Sequence, residues 1–467
     1  MKWYRLQRLI LVPAVALALL LSAAHSLAAS FAPPDFSVHR LEGTRPGNTL
    51  LIIGGIQGDE PGGFNAASLI ATQYTILSGT VWVVPNLNFL SIIKRSRGVH
   101  GDLNRKFDRL HPADPEFNTI SRIKKLIADP RVDLVLNLHD GSGFYRHEYI
   151  DKMQHPGRWG QCIIIDQDRM DSGPFSHLEK TALRSIDHVN QHLIKKGEYF
   201  LVKNTRTGKG NREMAKTLTW FAIKNNKAAF GIEASKSFLT PKRTYYHLLA
   251  IESFFNQAGI EFQRRFKLTQ RDIKRAIDAD IKVALNNNKI LLTIENVRKR
   301  LRFIPLQKNH PFEFTVNNPL MTIIPAGDTF SIIHGNRRMT YLSPEYLDYD
   351  FSLEAVEMEI DGQTQTVPFG RVIPVKDWFK VRAPDHHRVN IIGFTKKNQP
   401  NESGLRVKKE QIRPGFSVDK NGTIFRVEVY KDKKFTGMIL VDFSGRQKPE
   451  LKVALKERLP HPSKKLF

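Results

Sequence analysis

The chain has 467 residues, of which 41% are hydrophobic and 25% are charged. This composition excludes a disordered or fibrous chain, and the length exceeds what one hydrophobic core usually fills, so two or three domains are expected. The 71 Lys and Arg against 46 Asp and Glu give a net charge of +25, which favours a polyanionic partner (nucleic acid, anionic membrane or acidic wall polymer) unless the charge only solvates the surface.

The N-terminus has the pattern of a secretory signal peptide. Three basic residues among the first eight precede an apolar run over 9–21 and small residues over 26–29, so residues 1–29 are predicted to direct export. An uncleaved anchor is the alternative, although the run is short for a membrane span. Export to the periplasm argues against nucleic acid as partner, and no stable membrane span is expected once the signal is removed. The lone Cys162 excludes an intramolecular disulfide.

Strand-like and helix-like segments alternate from about residue 48 to 255. The apolar runs that indicate buried strands are 49–55, 80–85, 133–138, 160–166 and 228–233. The segments with helical spacing of apolar residues are 62–77, 115–128, 178–193 and 245–258. Buried strands that alternate with helices predict an α/β sheet covered on both faces.

The pattern changes after about residue 266. Residues 268–286 are a helix candidate, and the segments beyond it are short, alternating and bounded by turns such as Asp361-Gly362 and Asn421-Gly422. This part of the chain is therefore predicted to form one or two small all-β domains, barrels or sandwiches.

Candidate metal ligands follow two of the predicted strands. Gln57 and Glu60 lie on a turn after the first strand, and His139 lies just past the third. A catalytic zinc site needs three protein ligands and one open position, and open α/β sheets place their sites at the carboxyl ends of strands.

In these residues the chain resembles the zinc carboxypeptidases of the carboxypeptidase A kind, whose ligands are His-x-x-Glu and a distant His. Gln57, Glu60 and His139 occupy the matching positions, with Gln where His is usual. An amide oxygen is a weaker zinc ligand than imidazole, so weak metal occupancy or an inactive relative remains an alternative.

A second motif strengthens the resemblance. The sequence Asp-Leu-Asn-Arg-Lys-Phe over 102–107 departs from the family's Asp-Leu-Asn-Arg-Asn-Phe only at Lys106. The resemblance implies that Asn104 and Arg105 hold the terminal carboxylate of the substrate, which suits the planar fork of arginine. It also implies that an upstream arginine stabilises the oxyanion, with Arg97 the first choice and Arg95 the second.

The last catalytic candidate ends an apolar strand. Glu233 follows a buried run, and the resemblance implies that it is the general base and acid; an ion pair with Lys236 or Arg243 is the alternative. Trp159 is a candidate for lining the substrate pocket, with ordinary packing as the alternative.

The Gln-Gly-Asp-Glu turn over 57–60 is closest to secreted carboxypeptidases that determine cell shape in helical and curved bacteria. This resemblance implies a zinc carboxypeptidase domain over 30–266 with a mixed sheet, a β-barrel-like domain over 267–350 and an immunoglobulin-like sandwich over 351–467. It implies one zinc ion and removal of meso-diaminopimelate from the tripeptide stem of peptidoglycan. The β domains offer surfaces for other cell-wall proteins.

Two other functions remain open at this point. Aspartoacylases and succinylglutamate desuccinylases share the fold, a similar turn and an Asn-Arg pair, so an amidohydrolase for N-acyl amino acids is one alternative. A catalytically silent peptidoglycan-binding scaffold is the other. The choice between tripeptide and tetrapeptide stems is also open.

Overall fold

The structure is a computed structural model that describes residues 34–445 and the backbone of 464–466. The signal peptide predicted at 1–29 lies outside these residues. Within the described part of the chain, no helix has the length and hydropathy needed to span a membrane.

The first domain is built on one eight-stranded mixed sheet. The strands of this domain are β1 His39–Glu42, β2 Arg45–Ile53, β3 Tyr74–Val84, β4 Leu134–Gly141, β5 Phe144–Tyr145, β6 Gln154–His155, β7 Cys162–Ile165, β8 Leu201–Asn204, β9 Ala228–Ser235 and β10 Glu261–Arg264. Strands β5 and β6 form a separate two-stranded sheet. The sheet order is β1-β3-β2-β4-β9-β7-β8, with β10 also paired to β3. Strands β3, β2, β4 and β9 run parallel. Strands β1 and β10 pair antiparallel with β3, and β7 pairs antiparallel with β9 and parallel with β8.

Two groups of helices cover this sheet. The helices are α1 Pro61–Gln73, α2 Phe89–Lys94, α3 Phe117–Ile127, α4 Leu178–Gln191, α5 Leu218–Lys224, α6 Thr240–Gln257 and α7 Gln270–Asp278. Helices α1, α4 and α7 pack around α6 on one face, and α5 packs on β4 and β9 from the other. Every residue of β4 and β9 is buried, as expected of central strands covered on both sides.

The rest of the chain is all β. Its strands are β11 Lys282–Leu285, β12 Ile290–Thr293, β13 Arg300–Gln307, β14 Phe312–Val316, β15 Met321–Ala326, β16 Thr329–His334, β17 Arg337–Leu347, β18 Ala355–Ile360, β19 Gln363–Pro368, β20 Val372–Pro374, β21 Trp378–Arg382, β22 His387–Ile391, β23 Arg406–Lys408, β24 Ile424–Lys431, β25 Lys434–Asp442 and β26 Lys464–Leu466. They form four sheets of four strands: β12-β11-β14-β26, β13-β17-β16-β15, β19-β18-β21-β23 and β20-β25-β24-β22.

These sheets enclose two further cores. The last two sheets face each other across one core, which gives the two-sheet sandwich expected at the end of the chain. Strand β25 serves both cores, since Ile439 and Val441 face the last core and Met438 and Leu440 face the middle one. The predicted α/β domain followed by small all-β domains is confirmed, and the boundaries at 267 and 351 stay predictions.

Two helix predictions extend too far. The helix expected over 268–286 ends at Asp278, because Asp280 takes a left-handed backbone conformation (φ 54°) and the chain then enters β11. The helix expected over 62–77 ends at Gln73, because Tyr74 to Ile76 pair with β10 as the start of β3.

Candidate active site

The predicted site residues meet at the carboxyl ends of the central parallel strands. Strand β2 leads into the turn that carries Gln57 and Glu60, and β4 runs parallel beside it and carries His139. Strand β9 follows, and its Glu233 lies directly opposite His139 in the register of the sheet. The sheet topology therefore brings together residues that are up to 176 positions apart in the sequence, since Glu233 minus Gln57 is 176.

The three predicted metal ligands converge in a buried position. Nδ1 of His139 lies 3.0 Å from Oε1 of Gln57 and 3.0 Å from Oε2 of Glu60, and all three side chains are buried. One amide oxygen, one carboxylate and one imidazole at this spacing fit a single divalent ion with three protein ligands. No group of three His, Cys, Asp or Glu with metal-binding spacing occurs in the described residues, because the third donor here is an amide.

The orientation of Gln57 is fixed by its surroundings. Its Nε2 donates to Oδ1 of Asp102 at 2.8 Å, and a carboxylate only accepts, so the amide oxygen must face His139. The backbone of the turn is held by Gly58, whose N–H donates to the Ser96 carbonyl at 3.0 Å. A Cβ at Gly58 would lie 2.0 Å from the Ser91 carbonyl carbon, so only glycine allows this close approach.

The far side of the His139 ring is lined by amides. Nε2 lies 2.8 Å from Nδ2 of Asn137 and 3.4 Å from Nδ2 of Asn104. Oδ1 of Asn137 is buried with no hydrogen-bond partner among the described residues. With a metal on Nδ1 the ring carries its proton on Nε2, and turning the Asn137 amide would supply the missing acceptor. The orphaned oxygen thus fits a metal-bound imidazole.

The charge state of His139 reflects two opposing effects. Burial lowers its pKa, but the hydrogen bond to Glu60 and the negative charges of Glu60 and Glu233 outweigh burial and leave the pKa raised. A carboxylate ligand beside the ring thus stabilises positive charge at this point, which is the electrostatic condition for holding a cation.

Glu233 is a buried carboxyl group beside the predicted ligands. It is 7% exposed, and among the described residues nothing hydrogen-bonds its Oε2. Burial raises its pKa to about 8, although His139 opposes the shift, and the charges of Glu60 and Asp140 add to it. A carboxyl group that titrates near neutral pH can take up and return a proton. Among the described residues Glu233 forms no ion pair with Lys236 or Arg243; Lys236 pairs with Asp59 and Arg243 with Asp140.

Arg97 borders the ligand turn. Its Nε and Nη2 both lie 3.0 Å from Oδ2 of Asp102, and its Nη1 lies 3.6 Å from Oε1 of Glu60. Burial lowers the pKa of Arg97, but these two carboxylates outweigh it and raise the pKa. The second choice, Arg95, lies outside the site, because its Nε donates to the carbonyl of Asn336 at 2.6 Å.

The Asn-Arg pair lies beside the predicted metal ligands, with Nδ2 of Asn104 3.4 Å from Nε2 of His139. Asn104 is fixed by its N–H on Asp102 at 2.9 Å and by its Oδ1, which accepts from the N–H of Leu218 at 3.0 Å. Arg105 is partly exposed; its Nη1 donates to the Asn104 carbonyl at 3.0 Å, and its Nε lies 3.6 Å from Glu213. Most of the Arg105 fork remains available to an incoming carboxylate.

Lys106, where the chain departs from the family signature, is a structural residue. Its Nζ lies 2.8 Å from a carboxylate oxygen of Asp114 and 2.8 Å from one of Glu116. The ammonium is mostly buried by these contacts, so the substitution ties the signature loop to the start of α3 and leaves Asn104 and Arg105 in place.

The backbone of Trp159 lies near the strand that carries His139, and its ring shares Lys203 with Tyr145. Its backbone packs on Gly141, two residues after His139, where a Cβ would lie 2.4 Å from the Trp159 carbonyl carbon. The ammonium of Lys203 lies 4.4 Å from the Trp159 ring centroid and 4.1 Å from that of Tyr145. Burial lowers the pKa of Lys203.

Sequence analysis missed two groups that support the ligands. Nζ of Lys236 lies 2.6 Å from Asp59 and 3.4 Å from Glu60, so it holds the ligand turn with a positive charge. Asp140 is fully buried and accepts from the N–H of Gly62 at 2.8 Å and from Arg243 at 3.2 Å. A carboxylate inside a buried strand is costly without partners, and this signal in the sequence could have identified Asp140.

Sequence comparisons match both ends of the described chain. A profile described as the catalytic domain of a carboxypeptidase controlling helical cell shape matches residues 32–278. A second profile, described as the C-terminal domain of metallo-carboxypeptidase, matches residues 349–444. No curated protein matches the chain in sequence.

Solved structures match nearly the whole chain. Product-bound cell shape determinant protein Csd4 from Helicobacter pylori is 41% identical with a TM-score of 0.80, and the match covers 88% of this chain and 100% of that one. The tripeptide-bound form is 40% identical with a TM-score of 0.80 and coverages of 87% and 100%. The mDAP-bound form, described as a D,L-carboxypeptidase, is 41% identical with a TM-score of 0.79 and coverages of 86% and 99%.

Proposed function

The chain belongs to the family of carboxypeptidases that control helical cell shape, and from that premise we propose that it trims peptide stems of peptidoglycan with one zinc ion. It is a metallo-carboxypeptidase of the D,L type and acts on the cell wall. The finer assignments, which are the metal, the residues and the bond that is cut, rest on the site geometry.

Gln57, Glu60 and His139 are the proposed zinc ligands. Their donor atoms lie within 3.0 Å of the shared Nδ1, and nitrogen and oxygen donors in a three-residue set suit zinc. When bound, zinc supplies Lewis-acid chemistry, polarising the scissile carbonyl and making water a stronger nucleophile. Asp102 and Lys236 hold the ligand turn in place from outside.

The remaining residues position and protonate the substrate. Glu233 takes the proton of the attacking water on its unpartnered Oε2 and returns it to the leaving amine. Arg97, already beside Glu60, stabilises negative charge on the carbonyl oxygen. Arg105 and Asn104 hold the terminal carboxylate, and Trp159 lines the pocket that receives the last residue.

The proposed cut removes meso-diaminopimelate from the tripeptide stem. Two bound forms of the H. pylori relative support this choice, one with a tripeptide and one with mDAP. The high positive charge of the chain fits an anionic wall polymer in the periplasm, where we place the protein after removal of the signal peptide at 1–29. The domain limits 30–266, 267–350 and 351–467, and other cell-wall proteins as partners of the β domains, belong to the same proposal.

The observation that carries the proposal is the convergence of three donors beside Asn104 and a buried Glu233, whose Oε2 has no hydrogen-bond partner among the described residues. The test is a mass-spectrometric digest of tripeptide and tetrapeptide muropeptides and of N-acetylaspartate by the zinc-loaded protein. We expect loss of diaminopimelate from the tripeptide, and no turnover by Glu233→Gln with zinc still bound. Hydrolysis of the N-acyl amino acid alone would favour an acylase, and no hydrolysis with zinc bound would favour a scaffold.

A further inference from the structure

Two basic runs of the middle sheet lie side by side. The first is Arg-Lys-Arg-Leu-Arg over 298–302, and the second is Arg337-Arg338. Strands β13 and β17 begin within these runs and pair in parallel, so that Arg300 lies opposite Tyr341. The sheet thus concentrates positive charge from two segments that are far apart in the sequence.

Part of this charge is not neutralised by ion pairs among the described residues. Arg298 bonds to Ser417, and Arg337 pairs with Asp278 at 2.7 Å. Four other cations are exposed and have no carboxylate within 4.0 Å among the described residues; they are Lys299, Arg300, Arg302 and Arg338. We call these four residues and Tyr341 the basic surface.

Two guanidinium groups share one aromatic ring in the basic surface. The Cζ atoms of Arg300 and Arg338 lie 5.2 Å and 4.7 Å from the ring centroid of Tyr341. Arg300 also donates to the hydroxyl of Ser343 at 3.2 Å. Because both guanidinium groups contact one ring, the two like charges lie on the same part of the surface, where a bound anion would be attracted to both.

The basic surface belongs to the domain that touches the active-site loop. Strand β17 follows the turn at Gly335 and Asn336, and the Asn336 carbonyl accepts from Arg95, two residues before Arg97. The two domains are also joined by a small core in which Leu320 packs with Phe64 and neighbouring residues. The basic surface is therefore held in a fixed position relative to the catalytic domain.

We propose that the basic surface binds the anionic peptide stems of intact peptidoglycan, at stems other than the one in the active site. This inference rests on the proposed function, which makes the wall polymer the substrate. The stems carry carboxylates, and arginine forks pair with carboxylates through two parallel hydrogen bonds. A second contact on the same polymer raises the effective concentration of stems at the catalytic site.

The test compares binding to purified sacculi with turnover of a soluble tripeptide muropeptide. The variant is the double reversal Arg300→Glu and Arg338→Glu. The control, which changes the net charge equally, is Lys433→Glu with Lys434→Glu, two exposed lysines of the last domain. We expect the variant to cosediment with sacculi about tenfold more weakly and the control to keep most of its binding. Turnover of the soluble muropeptide should match wild type in both.

Other results would overturn the inference in separate ways. Equal binding of variant and wild type to sacculi would show that the basic surface does not bind peptidoglycan. Wild-type binding that is insensitive to salt would show the same. Binding to vesicles of phosphatidylglycerol and phosphatidylcholine is measured in parallel. If the variant loses binding to the vesicles but not to sacculi, the basic surface binds a membrane instead. The milder pair Arg300→Gln and Arg338→Gln repeats the measurement if the reversal fails to fold. If the wild type does not hydrolyse the muropeptide, the proposed function is refuted. The comparison of sacculus binding between variant and wild type then still tests whether the basic surface binds peptidoglycan.

Discussion

At the scale of single residues, the unusual member of the proposed ligand set is an amide. Gln57 is neutral and a weaker donor than imidazole, so its usefulness depends on orientation, which Asp102 imposes through the hydrogen bond to Nε2. The motif in the sequence predicts which residues converge, because their positions match a known ligand pattern. It does not predict that Asp102 bonds to both Gln57 and Arg97, because that contact depends on how the loop folds back.

Arg105 offers the clearest test of substrate docking. Arg105→Lys keeps the charge but loses the planar fork, so we expect KM for the tripeptide to rise about tenfold with a smaller change in kcat. Steady-state kinetics on the tripeptide measure both constants. The matched control is Arg212→Lys, an exposed arginine next to Glu213, which should change neither constant. An unchanged KM in Arg105→Lys would remove Arg105 from the docking role.

The buried Glu233 makes the stability of the metal-free protein depend on pH. Burial raises its pKa to about 8, whereas an unfolded glutamate has a pKa of about 4.3. Between these values the folded state binds more protons than the unfolded chain, so the free energy of unfolding falls as pH rises across this window. The loss of unfolding free energy is complete once the pH exceeds the pKa of Glu233 in the folded state.

Glu233→Gln removes that loss of stability. In the presence of chelator we expect the variant to exceed wild type by roughly 2 to 5 kcal/mol near pH 9, and to resemble it near pH 4. Denaturant unfolding at the two pH values measures the difference. Equal stability of the two proteins near pH 9 would show that the folded carboxyl group titrates normally.

At the scale of elements, sequence periodicity finds most of the catalytic domain but places some ends wrongly. Strands β4 and β9 are visible as unbroken apolar runs because both faces are buried. The apolar spacing predicts a helix at the start of β3, because only the long-range pairing with β10 makes this segment a strand. The end of α7 depends on the left-handed backbone at Asp280, which no apolar pattern reveals.

The turn that carries the ligands should tolerate no side chain at Gly58. In Gly58→Ala the new Cβ would lie 2.0 Å from the Ser91 carbonyl carbon, so the turn must shift and Gln57 with it. We expect zinc affinity to fall about tenfold or more, since ligand positions must hold within a fraction of an ångström. Competition with a chromophoric chelator measures the affinity. Gly197→Ala, where a Cβ meets nothing within 4 Å, is the control and should bind zinc as wild type does.

At the scale of the whole molecule, the middle domain braces the catalytic loop. Leu320 packs with Phe64, Phe89 and Ile92, all buried, and α2 leads directly to Arg97. The sequence predicts small β domains from turns and alternation, but it gives no sign of this shared core, because four apolar residues from distant segments form it.

Removing the Leu320 side chain should weaken the contact by which the middle domain supports the catalytic loop. A buried Leu→Ala costs about 2 to 5 kcal/mol, and we expect Leu320→Ala also to lower kcat, because Arg97 loses its support. Leu342→Ala, equally buried but in the core of the middle domain, is the matched control and should lose stability without a change in kcat. Thermal unfolding and tripeptide kinetics separate the two effects. Equal kcat losses in both variants would contradict bracing by Leu320.

The central claim is that an amide, a carboxylate and an imidazole hold one metal ion. An anomalous difference map at the zinc edge, from crystals grown with zinc, tests it most directly. The account predicts one strong peak bonded to Oε1 of Gln57, a carboxylate oxygen of Glu60 and Nδ1 of His139, at about 2.0 to 2.2 Å. A peak elsewhere, or one that leaves Gln57 unbonded, would contradict the account.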